Sequence, residues 1–194
     1  MRYIISVIVA SFLLVSCSNE RLANPSQYVN PFIGASTSTG LAGTYHGMGK
    51  TFPGATTPYG MVQVSPQTIT GGDNSSGYSY EHKTIEGFAF TQMSGVGWYG
   101  DLGNFLTMPT TGKLQLIAGR EDGSIQGYRS LYDKSSEEAS AGYYCATLTD
   151  YNIKAEATAA SHSGILRFTY PANSQSRIQI DLARRVGGTS TTQY

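Results

Sequence analysis

The chain is short of charge, of cysteine and of helix-forming runs, and each shortage narrows what it can be. Only 13% of its residues are charged, and 13 Lys and Arg offset 13 Asp and Glu. A protein that neutralises phosphates carries a basic stripe, and none is present, so no nucleic-acid partner is expected. Two cysteines, Cys17 and Cys145, are too few for a disulfide framework, and no Cys or His spacing suits zinc. Cys145 alternates with aromatic and aliphatic neighbours in Tyr143-Tyr144-Cys145-Ala146-Thr147-Leu148, which reads as a buried strand cysteine rather than a nucleophile. Beyond the first residues no segment reads as a helix, since 135–141 is polar and too short to stand alone. What is abundant is Gly (23) and Tyr (14), with many Ser and Thr. That composition points to an all-β domain rich in turns. A neutral, Tyr-rich surface suits uncharged ligands such as sugars, and equally fits a sandwich with no ligand.

Residues 1–17 read as a targeting segment and are set apart from the fold. Met1-Arg2 is a short positive start, and 4–15 is almost unbroken apolar sequence, too short for a comfortable membrane span. It ends in Leu14-Val15-Ser16-Cys17, which looks like a bacterial lipobox with Cys17 as the lipidated residue. The expected product is exported and tethered by acyl chains to a bacterial membrane, with its body in water. Residues 18–27 are polar and read as the tether, and 28–194 as the folded body.

Along that body, 35–50 is a long Gly, Ser and Thr loop that contains His46. A short strand is expected at 61–66 and another at 85–91. Candidates at 112–116, 127–129, 142–148, 151–159, 164–170 and 176–182 follow at intervals of about ten residues, the spacing of hairpin-built sheets. Alternation is clearest in 153–158 and 177–182, each expected to bury its apolar face. No strand follows 176–182, so the sheet is expected to be incomplete at that edge.

The stretch 94–109 holds the only tryptophan, Trp98, with Tyr99 and Asp101 among four glycines. An aromatic in such a loop either plugs the core or stacks on a ligand such as a sugar ring. Asp101 either accepts sugar hydroxyls or caps its own loop. Tyr78, Tyr80 and His82 form a second candidate cluster beside the Gly-rich turn at 71–77. Tyr78 and Tyr80 are expected on one face of a strand, with a core role for at least one of them.

Several collinear motifs resemble the amino-terminal region of glycoside hydrolase family 92, the calcium-dependent bacterial exo-α-mannosidases. They are Tyr28-Val29-Asn30-Pro31-Phe32-Ile33-Gly34, then Thr51-Phe52-Pro53-Gly54-Ala55-Thr56-Thr57-Pro58-Tyr59-Gly60-Met61-Val62-Gln63-Val64-Ser65-Pro66. Ser76-Gly77-Tyr78-Ser79-Tyr80, Ile85-Glu86-Gly87-Phe88, Ser94-Gly95-Val96-Gly97 and Tyr99-Gly100-Asp101 continue in the same order, and Arg167-Phe168-Thr169-Tyr170-Pro171 resembles a later strand. The resemblance implies a mutarotase-like β-sandwich (supersandwich) of antiparallel strands preceding an (α/α)6 barrel. It implies inverting hydrolysis in which one carboxylic acid protonates the leaving oxygen and a carboxylate activates water. In the family those carboxylates and the Ca²⁺ ligands lie in the barrel, so no catalytic or metal-binding residue is expected in this chain. The expected partners are mannose-containing glycans, the missing barrel and the membrane. Trp98, Asp101, Tyr78 and His82 are then the candidate sugar contacts, on a wall of the pocket. The competing reading is a stand-alone carbohydrate-binding surface lipoprotein without hydrolase activity.

Overall fold

The computed structural model describes residues 24–36, 51–68, 70, 76–93 and 102–186. Within them the chain is all-β apart from one 3-10 turn, Pro25–Tyr28, capped by the Asn24 side chain on the Ser26 N–H. Ten strands form two five-stranded sheets. The first contains β1 (Ala55–Thr56), β2 (Gln63–Gln67), β4 (Gly87–Ala89), β5 (Leu106–Thr110) and β10 (Arg177–Asp181), in that order. The second contains β3 (Thr84–Ile85), β6 (Ser130–Ser140), β7 (Tyr143–Leu148), β8 (Ile153–Ala159) and β9 (Gly164–Thr169). All pairings between named strands are antiparallel.

The core lies between the sheets. Val64, Phe88 and Met108 from the first meet Tyr144, Ala146, Leu148, Ile153, Ala155 and Ala157 from the second. Phe88 is its hinge, with its ring tilted against Tyr144 at 6.0–6.4 Å from that ring and from Phe168. Two strand prolines fall where a missing N–H does no harm. Pro66 lies beyond the two-residue reach of β1, and Pro109 lies beyond the single pairing of β4 with β5, so neither interrupts a second ladder. The tight connection at 149–152 closes the β7–β8 hairpin with Asn152 at φ 51°, a left-handed position that Asn tolerates.

Strands expected at 61–66, 142–148, 151–159, 164–170 and 176–182 are present within a residue or two. Cys145 is buried on β7 with a free thiol. Three expectations are corrected. Residues 112–116 are a loop, whose Leu114 and Leu116 face solvent, so their alternation reports no sheet. Residues 127–129 only lead into β6, an eleven-residue strand whose polar sequence hid it. On β10 the expected faces are exchanged, with Ile178 and Ile180 exposed while Arg177, Gln179 and Asp181 turn inward. Two of the inward polar groups are hydrogen-bonded: Thr110 donates to Gln179 at 2.8 Å, Gln179 donates to the Gln115 carbonyl at 2.8 Å, and Tyr128 donates to Asp181 at 2.6 Å. Hydrogen-bonded polar side chains can occupy such a face without the penalty of unpaired ones.

Candidate functional site

The chain leaves the first sheet at Gln67 and returns through Ser76 to Glu86, tying the end of β2 to the start of β3. Thr68 is the knot. Its N–H donates to the Gly77 carbonyl at 2.8 Å, its hydroxyl oxygen accepts from the Ser79 N–H at 2.9 Å, and the same oxygen lies 3.1 Å from Nδ1 of His82. His82 closes a turn onto the Ser79 carbonyl, and its Nε2 lies 4.0 Å from a Glu121 carboxylate oxygen. The imidazole therefore sits between a hydroxyl within hydrogen-bond reach and a more distant acid.

Tyr78 and Tyr80 are separated by this turn and do not share a strand face, correcting the sequence expectation. Tyr78 is fully buried, whereas Tyr80 is 46% exposed, with its ring edge-on to Phe32. One of the pair thus has the core role. The Tyr78 hydroxyl donates to Oε1 of Glu137 at 2.8 Å, and the Tyr144 hydroxyl donates to the same oxygen at 2.8 Å. Lys134 donates to Oε2 of Glu137 at 2.9 Å and sits over the rings of Tyr80 and Tyr132 at 4.2 and 4.4 Å. A bulge in β6 makes this possible. Asp133 pairs with Thr147 and Glu138 with Cys145, so four residues oppose one and Lys134 and Glu137 are displaced toward the tyrosines. Burial, reinforced by the Glu137 charge, drives the Tyr78, Tyr132 and Tyr144 phenols far above the ordinary range. Burial lowers Lys134, with Glu137 opposing the shift.

A second buried carboxylate, Glu86, went unseen in the sequence. It is 1% exposed and lies between β3 and β4. Arg129 and Arg184 both donate to its Oε1, the latter at 2.9 Å. Thr70 donates to Oε2 at 2.6 Å, and the Gln67 amide donates to it at 3.3 Å. Burial raises its pKa, but the hydrogen bonds and charge of Arg184, the Thr70 hydroxyl and the Arg129 charge outweigh that, and the net shift is downward. A carboxylate so paired stays ionised and is a poor proton donor near neutrality. An acid set between Ile85 and Gly87 inside the strand expected at 85–91 was the one local sign of it, and nothing local marked its arginine partners. Beside Arg129 runs a groove of about 340 Å³ lined by Arg120, Glu121, Asp122 and Asp150, with charges of both signs.

The start of β5 is fastened next to this cluster. Thr91 accepts the N–H groups of Gly103 and Asn104 on its hydroxyl, each at 3.2 Å, and Val186 donates its N–H to the Leu102 carbonyl at 2.9 Å. Trp98, Asp101, His46 and Cys17 lie outside the described residues. Among the described residues no group of three or more His, Cys, Asp or Glu is placed to hold a metal ion. No helix among them is long and apolar enough to cross a membrane.

Residues 28–194 match the Glycosyl hydrolase family 92 N-terminal domain. A family GH92 α-mannosidase from Bacteroides thetaiotaomicron is 41% identical, with a TM-score of 0.75 over 84% of this chain and 20% of its own. The same enzyme solved with mannoimidazole gives 40% identity and a TM-score of 0.74 over 83% of this chain and 20% of its own. An uncharacterized secreted glycosidase of Arthroderma benhamiae is 31% identical over 137 residues, which are 69% of this chain and 17% of that protein. The chain thus spans about a fifth of the length of the relatives it matches.

Proposed function

The chain belongs to glycosyl hydrolase family 92 as its N-terminal domain, and from that premise we propose that it is the carbohydrate-recognising part of an exported α-mannosidase. The observation that carries this reading is the match to an α-mannosidase fold at 41% identity, an enzyme also solved with mannoimidazole. The substrate is a mannose-containing glycan, and this domain supplies one wall of the pocket. Trp98 stacks on the apolar face of the sugar, and Asp101 accepts its hydroxyls. Tyr78 and His82 hold that wall from behind, Tyr78 through Glu137 and His82 through Thr68. The two acids of inverting hydrolysis, and the Ca²⁺ that holds the sugar when bound, belong to the part of the enzyme beyond this chain. The whole is exported and lipid-anchored through Cys17.

Export is supported by the secreted glycosidase among the relatives, and by the apolar leader ending at Cys17. The function is tested with the full-length protein on α-mannobiose. Mannose release that falls at least tenfold in Trp98→Ala or Asp101→Ala, with the fold intact by circular dichroism, is the expected result. Release by residues 18–194 alone would overturn the assignment of catalysis to the rest of the enzyme. Sugar binding without release by the full-length protein would favour a binding lipoprotein instead.

A further inference from the structure

We propose that the free edge of β9, together with Ile178 and Ile180 on β10, receives one or two extended strands from the part of the enzyme beyond this chain. The surface is assigned on the reading above that the enzyme extends further, and this chain spans about a fifth of the length of its relatives.

The register of the first sheet shows where its core face runs. Directly paired residues of antiparallel strands share a face. Pro66 pairs with Phe88, Phe88 with Thr107, and Thr107 with Ile180, so the four form one row across β2, β4, β5 and β10. Pro109 and Ile178 pair two residues along, on the same face. That face meets the second sheet, since the Phe88 ring packs on Tyr144 and Phe168. Cover fails along the row: Phe88 is fully buried, whereas Ile178 and Ile180 are each 58% exposed. Gln179 and Asp181 turn to the other side of the sheet, where Gln115 and Tyr128 hold them. The two isoleucines therefore extend the face that builds the core, at a place where the opposing layer has stopped.

That layer stops at β9, the last strand of the second sheet. Pairing with Ala155 and Ala157 puts Phe168 and Leu166 on its core face, where both are only half-buried at the margin of the core. The Phe168 and Phe88 ring centroids are 6.0 Å apart, so β9 stands over β4, with β5 and β10 beyond it. Neighbouring strands lie about 4.8 Å apart, so one or two more would carry the sheet over Ile180. The outer backbone edge of β9 pairs with no strand among the described residues, and such an edge is a template for strand addition. Tyr170 fixes one end of the slot by donating to the Arg177 carbonyl at 2.6 Å, which joins the exit of β9 to the start of β10. The occupant is an extended segment with apolar residues at alternate positions, because one of its faces meets isoleucines and the other is free. The β9 of a second copy does not supply it, since its core face already rests on its own Phe88.

The test is hydrogen exchange of the full-length protein, with iodoacetamide labelling of Ile178→Cys and Ile180→Cys, both read by peptide mass spectrometry. Alternate amides of Gly164–Thr169 point away from β8. The expected result is slow exchange of the whole β9 set rather than half of it, and labelling of each new thiol at least tenfold more slowly than in urea. Either cysteine variant serves should the other fail to fold. Slow labelling with fast exchange of the outward amides means that something other than a strand covers the face, and overturns the proposal. Protection lost on dilution, together with a dimer in size-exclusion chromatography, gives the edge to a second copy and overturns it too. Fast labelling in a longer protein overturns the proposal alone. An intact mass no greater than that of this chain overturns the longer enzyme and the proposal together.

Discussion

Replacing Glu86 by Gln should strike the fold at its most concentrated charge. The carboxylate is 2% exposed at its side chain, and its partners Arg129 and Arg184 are 10% and 30% exposed. Removing one member of a buried ion pair costs about 3–5 kcal/mol, chiefly because the surviving charge keeps its desolvation penalty. Here two guanidiniums lose their carboxylate, but glutamine retains an oxygen for one of them, and Arg184 can reach water. The expected loss is therefore at the lower end, about 3 kcal/mol. For a domain of this size 1 kcal/mol moves the melting temperature by about 2–4 °C, so E86Q should melt about 6–12 °C lower. Urea denaturation of wild type and E86Q, followed by Trp and Tyr fluorescence, reads the difference directly. The pH dependence has a definite sign. Because the folded carboxyl lies below its ordinary value, its stabilisation is complete above that value, about pH 4.3, and is lost as pH falls through the folded value. The gap between wild type and E86Q should thus be constant near neutrality and close in acid. A loss under about 1 kcal/mol, or a gap that persists unchanged in acid, would refute the reasoning.

Three further outcomes follow from other sites. Tyr144→Phe removes one of three donors to Glu137 and should cost about 1.5–3 kcal/mol in urea denaturation, the range for hydrogen bonds to charged groups; no loss would mean that Glu137 is held by Tyr78 and Lys134 alone. Glu156 is held down to about 2 by the paired Arg167 hydrogen bonds at 2.6 Å and the Tyr143 hydroxyl, so Arg167→Gln should raise its carboxyl toward the ordinary value in an NMR titration. An unmoved titration would deny the pairing. Ile178→Ser and Ile180→Ser should each change the stability of this chain by less than about 0.5 kcal/mol, as surface substitutions do, whereas Ile153→Ala should cost about 2–5 kcal/mol. Comparable losses at all three would restore the inward apolar face of β10.

The sequence revealed strands best where neighbours in the chain are neighbours in the sheet. β7, β8 and β9 form a hairpin meander with clean pairing, and their Ile153, Ala155 and Ala157 alternate into the core as their order requires. β6 was illegible because its bulge breaks the two-residue period and its outward positions are polar. β10 misled for a different reason: side-chain alternation fixes two faces but not which is inward, and hydrogen bonds to Thr110, Tyr128 and Gln115 decided that from afar. At the site, Tyr78 was legible as a core candidate, but the acids that organise it were not. Glu86 meets Arg129 across 43 residues and Arg184 across 98, distances at which no local spacing carries a signal. The same holds for Glu137, which reaches Tyr78 across 59 residues.

Those long spans also order events in time. The β6–β9 meander closes short loops and can form from its own stretch of chain, while the first sheet waits for β10, whose Gln179 meets Thr110 across 69 residues. Synthesis at about 5–20 residues per second leaves β5 without that neighbour for several seconds. Contacts this distant slow the search itself, since the entropy of closing the loop is lost before any contact compensates. The Arg184–Glu86 bond joins the end of the described residues to their middle, so the first sheet rests on contacts of far greater sequence separation than the meander does.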